Sequence, residues 1–126
     1  MLTRVIIAGS RDYTYKETLY KVVDKVLSEI NDNIEIVSGG CRGADALGER
    51  YALDHGYGLK IFPAYWKKFG KKAGYIRNKE MAEYASKENG ILIAFPLGES
   101  RGTNMMISLA DDYGLKIYIA KSEVNK

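Results

Sequence analysis

Apolar positions along this chain follow two periods. Residues 4–9 alternate little and carry Val5, Ile6, Ile7 and Ala8 in succession, the pattern of a strand covered on both faces. Residues 15–30 place Leu19, Val22, Val23, Val26, Leu27 and Ile30 three and four apart, which predicts an amphipathic helix. Thr14 is the expected N-cap and Asn31-Asp32-Asn33 the expected exit turn. The alternation of element types then repeats. Ile34–Ser38 reads as a strand, 43–55 as a helix and Leu59–Pro63 as a strand closed by its proline. Residues 64–73 read as a long irregular loop, 74–87 as a helix, Ile91–Phe95 as a strand, about 102–113 as a helix and Leu115–Ala120 as a strand. Residues 120–126 are polar and expected to fray.

This order, β-α-β-α-β-α-β-α-β with short connections, predicts a doubly wound α/β fold with a parallel five-stranded sheet in a single domain spanning 1–126. In such sheets ligands bind beyond the C-terminal ends of the strands, near the point where the strand order reverses. Three glycine-bearing turns fall at strand ends: Gly9-Ser10-Arg11-Asp12, Ser38-Gly39-Gly40-Cys41-Arg42-Gly43-Ala44-Asp45 and Gly98-Glu99-Ser100-Arg101-Gly102-Thr103. Glycine lets backbone approach a ligand closely, and a helix start offers unpaired N–H groups to an anion. An arginine stands in each turn, able to grip phosphate with paired hydrogen bonds. The three turns should converge on one phosphate-binding pocket.

Composition narrows the chemistry. With 46% hydrophobic and 28% charged residues, the 126-residue chain has the makings of a globular core. No apolar run has the length of a membrane span, and the chain opens into a strand rather than a secretory leader, so a cytoplasmic location away from membranes is expected. Lys67, Lys68, Lys71 and Lys72 more than account for the net charge of +3, so the basic character is local. They are either a solvated loop or a means of steering phosphate. A single histidine and a single cysteine cannot build a usual zinc site, and neither a metal nor a cofactor is expected. His55 sits where a helix should end before Gly56, a structural position. Cys41 has no base near it in sequence, which argues against nucleophilic catalysis.

Several residues admit two readings. The glycines of the second turn serve either a ligand or turn geometry alone; Arg42 and the helix start favour a ligand. Asp45 is placed either to complement a helix dipole or to bond a ribose hydroxyl or act as a general acid or base. Ser100 and Thr103 either cap a helix or bind ligand. Tyr65 and Trp66 either stack on a base or pack their loop. Arg77 and Asn78 open the 74–87 helix beside the same sheet edge.

The segments Val5-Ile6-Ile7-Ala8-Gly9-Ser10-Arg11, Ser38-Gly39-Gly40 with Arg42-Gly43-Ala44-Asp45, Trp66 with Gly70-Lys71, Ala73-Gly74, Ile76-Arg77-Asn78 and Met81, and Ser100-Arg101-Gly102-Thr103 together resemble the SLOG superfamily, in its YspA/YpsA-related branch. The likeness runs over about residues 4–120. It implies a Rossmann-like fold and a nucleotide or nucleotide-derived ligand at the Gly-rich edge; with the turns read above, the residues expected to bind it are Gly9, Ser10, Arg11, Ser38, Gly39, Gly40, Arg42, Gly43, Asp45, Tyr65, Trp66, Arg77, Asn78, Ser100, Arg101, Gly102 and Thr103. The superfamily includes LOG-type enzymes that release a base from nucleoside 5′-monophosphates, the DNA-processing protein DprA, and proposed sensors of nucleotide signals in bacterial and phage conflict. Its members often self-associate, so a homo-oligomer is expected.

The LOG pattern is Arg-Lys followed by Met, then Pro-Gly-Gly-x-Gly-Thr-x-x-Glu. Arg77, Met81 and Gly102-Thr103 match it, whereas Asn78 replaces the lysine and Met106 stands where the carboxylate would be. Glycoside cleavage needs a carboxylate to stabilise a ribosyl cation and activate water. Only Asp45 or Glu99 could supply one here. The expected function is therefore binding, for sensing or sequestration. LOG-type hydrolysis is the alternative, and DprA-like binding of single-stranded nucleic acid through the lysines is the second.

Overall fold

In a computed structural model, which describes residues 1–121, five parallel strands lie in the order β3-β2-β1-β4-β5. The strands are β1 (Leu2–Gly9), β2 (Asn33–Ser38), β3 (Gly58–Ile61), β4 (Asn89–Phe95) and β5 (Lys116–Ile119). The helices are α1 (Lys16–Leu27), α2 (Ala44–His55), α3 (Trp66–Phe69), α4 (Ala73–Ser86) and α5 (Arg101–Asp112). The Rossmann-like α/β fold expected from the sequence is present. Among the described residues no helix is long and apolar enough to cross a membrane.

The period of two along the central strands sorts the core into layers. Val5 and Ile7 of β1, with Ile91, Ile93 and Phe95 of β4, pack with Leu19 and Val23 of α1 and Ala52 of α2. The intervening Ile6, Ala8, Leu92 and Ala94 pack with Met81, Ala82 and Ala85 of α4 and Met106 and Leu109 of α5. This double coverage is why β1 and β4 read as unbroken apolar runs while the edge strands β3 and β5 are largely exposed. Helix α2 can lie close to the sheet because Gly48 faces Ile7: a Cβ there would come within 2.8 Å of the Ile7 side chain. At its far end Gly56 takes a left-handed conformation (φ 69°) and closes the helix after His55.

Two expectations are corrected. The stretch 64–73 is not irregular: α3 and a 3-10 turn over Gly70–Lys72 lead directly into α4. Neither piece buries a side chain, so neither leaves an apolar period to read. Thr14 does not cap α1; Tyr15 holds that position without a side-chain bond, and Thr14 offers its carbonyl to the Lys16 N–H at 2.9 Å. At the first residue of the tail expected to fray, Ala120 N–H donates to Ala94 O at 2.9 Å. The rest of that tail beyond Lys121 lies outside the described residues.

Candidate functional site

The strand order reverses between β1 and β4: from β1 the sheet grows outward through β2 and β3, and from β4 through β5. The chain leaves β1 for the helical layer of α1 and leaves β4 for the layer of α5. A crevice opens between the two exits. Backbone bonds knit its rim. Ser10 N–H donates to Phe95 O at 3.1 Å, and Ala44 N–H donates to Ser10 O at 3.1 Å. The first turn thus holds both the end of β4 and the start of α2. Gly9 and Gly43 permit this: a Cβ at Gly9 would collide with Phe95 O, and one at Gly43 (φ 79°) with Ser10 O.

The crevice is a cleft of about 610 Å³, large enough for a small ligand. Gly9, Ser10 and Arg11 line it from the turn after β1, and Arg42 and Asp45 from the turn into α2. Arg77 and Asn78 line it from α4, Trp66 from α3, and Glu99, Ser100, Arg101, Gly102 and Thr103 from the turn into α5. All three glycine turns therefore contribute to one cavity, with Arg11, Arg42 and Arg101 exposed at its mouth and Arg77 buried beneath.

Ser38, Gly39, Gly40, Gly43 and Tyr65 do not line the cleft. The first four shape the turn that does. The buried Ser38 Oγ donates to Glu49 Oε2 at 2.6 Å and accepts the Gly40 N–H at 3.1 Å. Gly40 carries the positive φ (75°) that redirects the chain. Tyr65 is exposed before α3, and its carbonyl accepts the N–H groups of Lys68 and Phe69.

Other lining residues carried no reading as ligand contacts. Gly74, Tyr75 and Met81 belong to the α4 face of Arg77 and Asn78, and helical spacing from those two would have found them. Of the four lysines only Lys71 reaches the cleft. Cys41 lines it with its Sγ 3.8 Å from an Arg77 nitrogen. His55 is elsewhere, stacked on Tyr51 with ring centroids 3.9 Å apart and 3.5 Å from an Asp24 oxygen.

The cleft floor holds two buried charges. Arg77 Nε donates to Asn78 Oδ1 at 2.8 Å, and Arg77 Nη1 donates to the Gly39 carbonyl. Asp45, 6% exposed, accepts the Cys41 N–H at 3.3 Å. Burial pushes the Asp45 carboxyl up to about 6, against the pull of the backbone N–H groups of Cys41 and Gly39 and of the Arg77 charge. At the far wall the hydroxyls of Ser100 and Thr103 bond each other at 2.7 Å, and no side chain caps α5. Among the described residues no side chain bonds the first N–H groups of α5, which open beside Arg101, an arrangement suited to an anion. Met106, 1% exposed, is part of the core beneath this wall. Among the described residues no group of three or more His, Cys, Asp or Glu is placed to hold a metal ion.

The fold and the cleft define a Rossmann-like α/β domain with a cationic site at its switch point. A family model, described as the YspA, cpYpsA-related SLOG family, matches residues 3–69, and the chain belongs to this family. It is 32% identical over 121 residues to the Gene 61 protein of Mycobacterium phage D29, covering 92% of this chain and 94% of that protein. Among solved structures it is similar to DNA processing protein A (DprA) from Streptococcus pneumoniae, with a TM-score of 0.69 and 19% identity over 98% of this chain. The chain spans about half of that protein's length (52%), and the likeness concerns the fold. A predicted subunit of tRNA methyltransferase from Methanocaldococcus jannaschii aligns with a TM-score of 0.45 and 15% identity, over all of this chain and 70% of that one.

Proposed function

We propose that the cleft binds a nucleotide or nucleotide-derived ligand and holds it without cleavage, for sensing or sequestration. The observation that carries this reading is the gathering of Arg11, Arg42, Arg77 and Arg101, from three turns and α4, around one cavity whose floor has Met106 in the core. The exposed arginines and the open start of α5 would neutralise phosphate. Trp66 and Tyr75, 57% and 48% exposed on the α3–α4 side, would cover a base. The test is incubation with a panel of nucleoside mono- and diphosphates and dinucleotides, read by thermal shift and chromatography. A ligand raises the melting temperature by mass action whether or not it is cleaved. A shift with intact ligand is the expected result; no shift across the panel sinks the reading.

A second reading rests on Asp45. A buried carboxyl pushed up to about 6 beside a cationic cleft is suited to general acid–base work. In that reading the protein is an N-glycoside hydrolase of LOG type. Glu99, also on the cleft, is exposed on the loop before α5 and lacks the burial that tunes Asp45. Release of free base from any nucleoside 5′-monophosphate, abolished in Asp45→Asn, would replace the first reading with this one.

A further inference from the structure

Asp45 and Arg77 meet at Gly39. A Cβ at that glycine would lie 2.8 Å from both Asp45 Oδ2 and Arg77 Nη1. The two charged groups therefore sit side by side, yet among the described residues they make no ion pair with each other. Each keeps bonding capacity unused. Arg77, which lines the cleft, commits Nε to Asn78 and Nη1 to Gly39 and Cys41, and among the described residues Nη2 has no bond. The Asp45 carboxylate accepts the Cys41 N–H, and among the described residues no side chain donates to it. A carboxylate accepts about four hydrogen bonds, so acceptor sites remain open.

We propose that this pair makes the site selective for ribonucleotides over deoxyribonucleotides, with Asp45 accepting a hydrogen bond from the ribose 2′-hydroxyl and Arg77 Nη2 donating to the 3′-oxygen. The proposal rests on the nucleotide-binding reading. Its logic is complementarity: an acceptor and a donor, fixed side by side by α2 and α4, match vicinal hydroxyls, of which one donates and the next accepts. A 2′-deoxyribose keeps its 3′-hydroxyl but lacks the 2′-hydroxyl that donates to Asp45. It would leave a buried carboxylate desolvated by the ligand and unpaired, and sites built around a ligand hydroxyl discriminate strongly for that reason. The mouth arginines and Lys71 cannot discriminate in this way, because they address phosphate, which both classes carry. The same argument disfavours DNA as the occupant.

The test compares matched pairs, AMP with dAMP, ADP with dADP and GDP with dGDP, by calorimetry on the intact protein at pH 8, where Asp45 is ionised. The expected result is weaker binding of the 2′-deoxy member by about tenfold or more. In Asp45→Asn, with folding checked by its melting curve, the ratio should fall, because the amide keeps the shape of the carboxylate and a neutral acceptor oxygen but has lost the charge that strengthens the bond. Equal affinity within pairs for the wild-type protein, or discrimination undiminished in Asp45→Asn, would overturn the selectivity and leave nucleotide binding standing. Failure of every member to bind would overturn both.

Discussion

Arg77 on α4 donates through Nη1 to the carbonyl of Gly39, joining α4 to the turn that leads from β2 into α2. The bond crosses 38 residues of sequence at the C-terminal end of the sheet. Hydrogen bonds from buried charged groups contribute about 1.5–3 kcal/mol. Arg77→Lys keeps the charge but loses the planar fork that reaches Asn78 and Gly39 together. It should lower unfolding free energy by about 2 kcal/mol, measured by urea denaturation, and leave helix content unchanged by circular dichroism.

Asp45 should give the ligand-free protein an inverted acid response. Its carboxyl is raised from 3.8 to about 6, so the folded state holds a proton that the unfolded chain releases. Stability from this group is present below about pH 4 and is lost as pH rises through 6. The gap corresponds to about 3 kcal/mol as an upper figure. Arg77 and Glu49 are the charged neighbours, the first opposing and the second reinforcing the shift. Asp45→Asn removes the titration. The difference in melting temperature, variant minus wild type, should therefore be larger at pH 8 than at pH 5. A difference independent of pH would show that Asp45 does not titrate in this window.

The lysine cluster separates into one cleft residue and its neighbours. Lys71 lines the cavity, whereas Lys68 sits with its ammonium 5.2 Å from the Phe69 ring centroid, outside the lining. Lys71→Glu should weaken binding of an anionic nucleotide by about tenfold at low ionic strength, with the effect shrinking in 0.5 M salt as the field is screened (to a Debye length below ~8 Å). Lys68→Glu should change it by less than about threefold. Isothermal titration at two salt concentrations checks both.

The sheet was legible because β1 and β4 are buried on both faces, and burial writes unbroken Val, Ile and Leu runs into the sequence. The position of the cleft followed from the order of the elements and the turns at the ends of β1, β2 and β4. What the glycines do individually was not legible. Ser38, Gly39, Gly40 and Gly43 look alike as ligand contacts, yet steric closeness to Ser10, Arg77 and Asp45 gives Gly39 and Gly43 structural work. The bond from Ser38 to Glu49 links residues eleven apart through the turn and follows from no local pattern. Trp66–Phe69 escaped prediction because a four-residue helix with no buried side chain has no period to detect.

Met106, at the position where the resemblance to the LOG pattern would put a carboxylate, is part of the core. It is 1% exposed and packs in the cluster with Ile6, Leu92 and Ala94. A glutamate there would bury a charge without a partner, at a cost of several kcal/mol or about the equivalent rise in its pKa. Met106→Glu should therefore lower the melting temperature, and by more at pH 8 than at pH 5, where the side chain can be neutral. Scanning calorimetry at the two pH values reads this directly. A pH-independent loss would mean that the carboxylate reaches the cleft and its water.

Gly43 and Gly102 differ in what the fold asks of them. At Gly43 the positive φ and the collision with Ser10 O mean that Gly43→Ala should destabilise by more than about 2 kcal/mol. At Gly102, in the first turn of α5, a Cβ would meet nothing within 4 Å and the backbone is not in the left-handed region. The fold gives no reason for glycine there. Gly102→Ala should stabilise the free protein by up to about 1 kcal/mol, since alanine loses less entropy in a helix. The cleft side of that position is where an anion would approach the N–H groups of α5, and a methyl group would intrude. A more stable protein that binds nucleotide at least about threefold more weakly is the expected outcome, read by denaturation and calorimetry on the same sample. If the variant gains stability and keeps its affinity, the phosphate does not lie on α5, and the arginine side of the cleft must hold it alone.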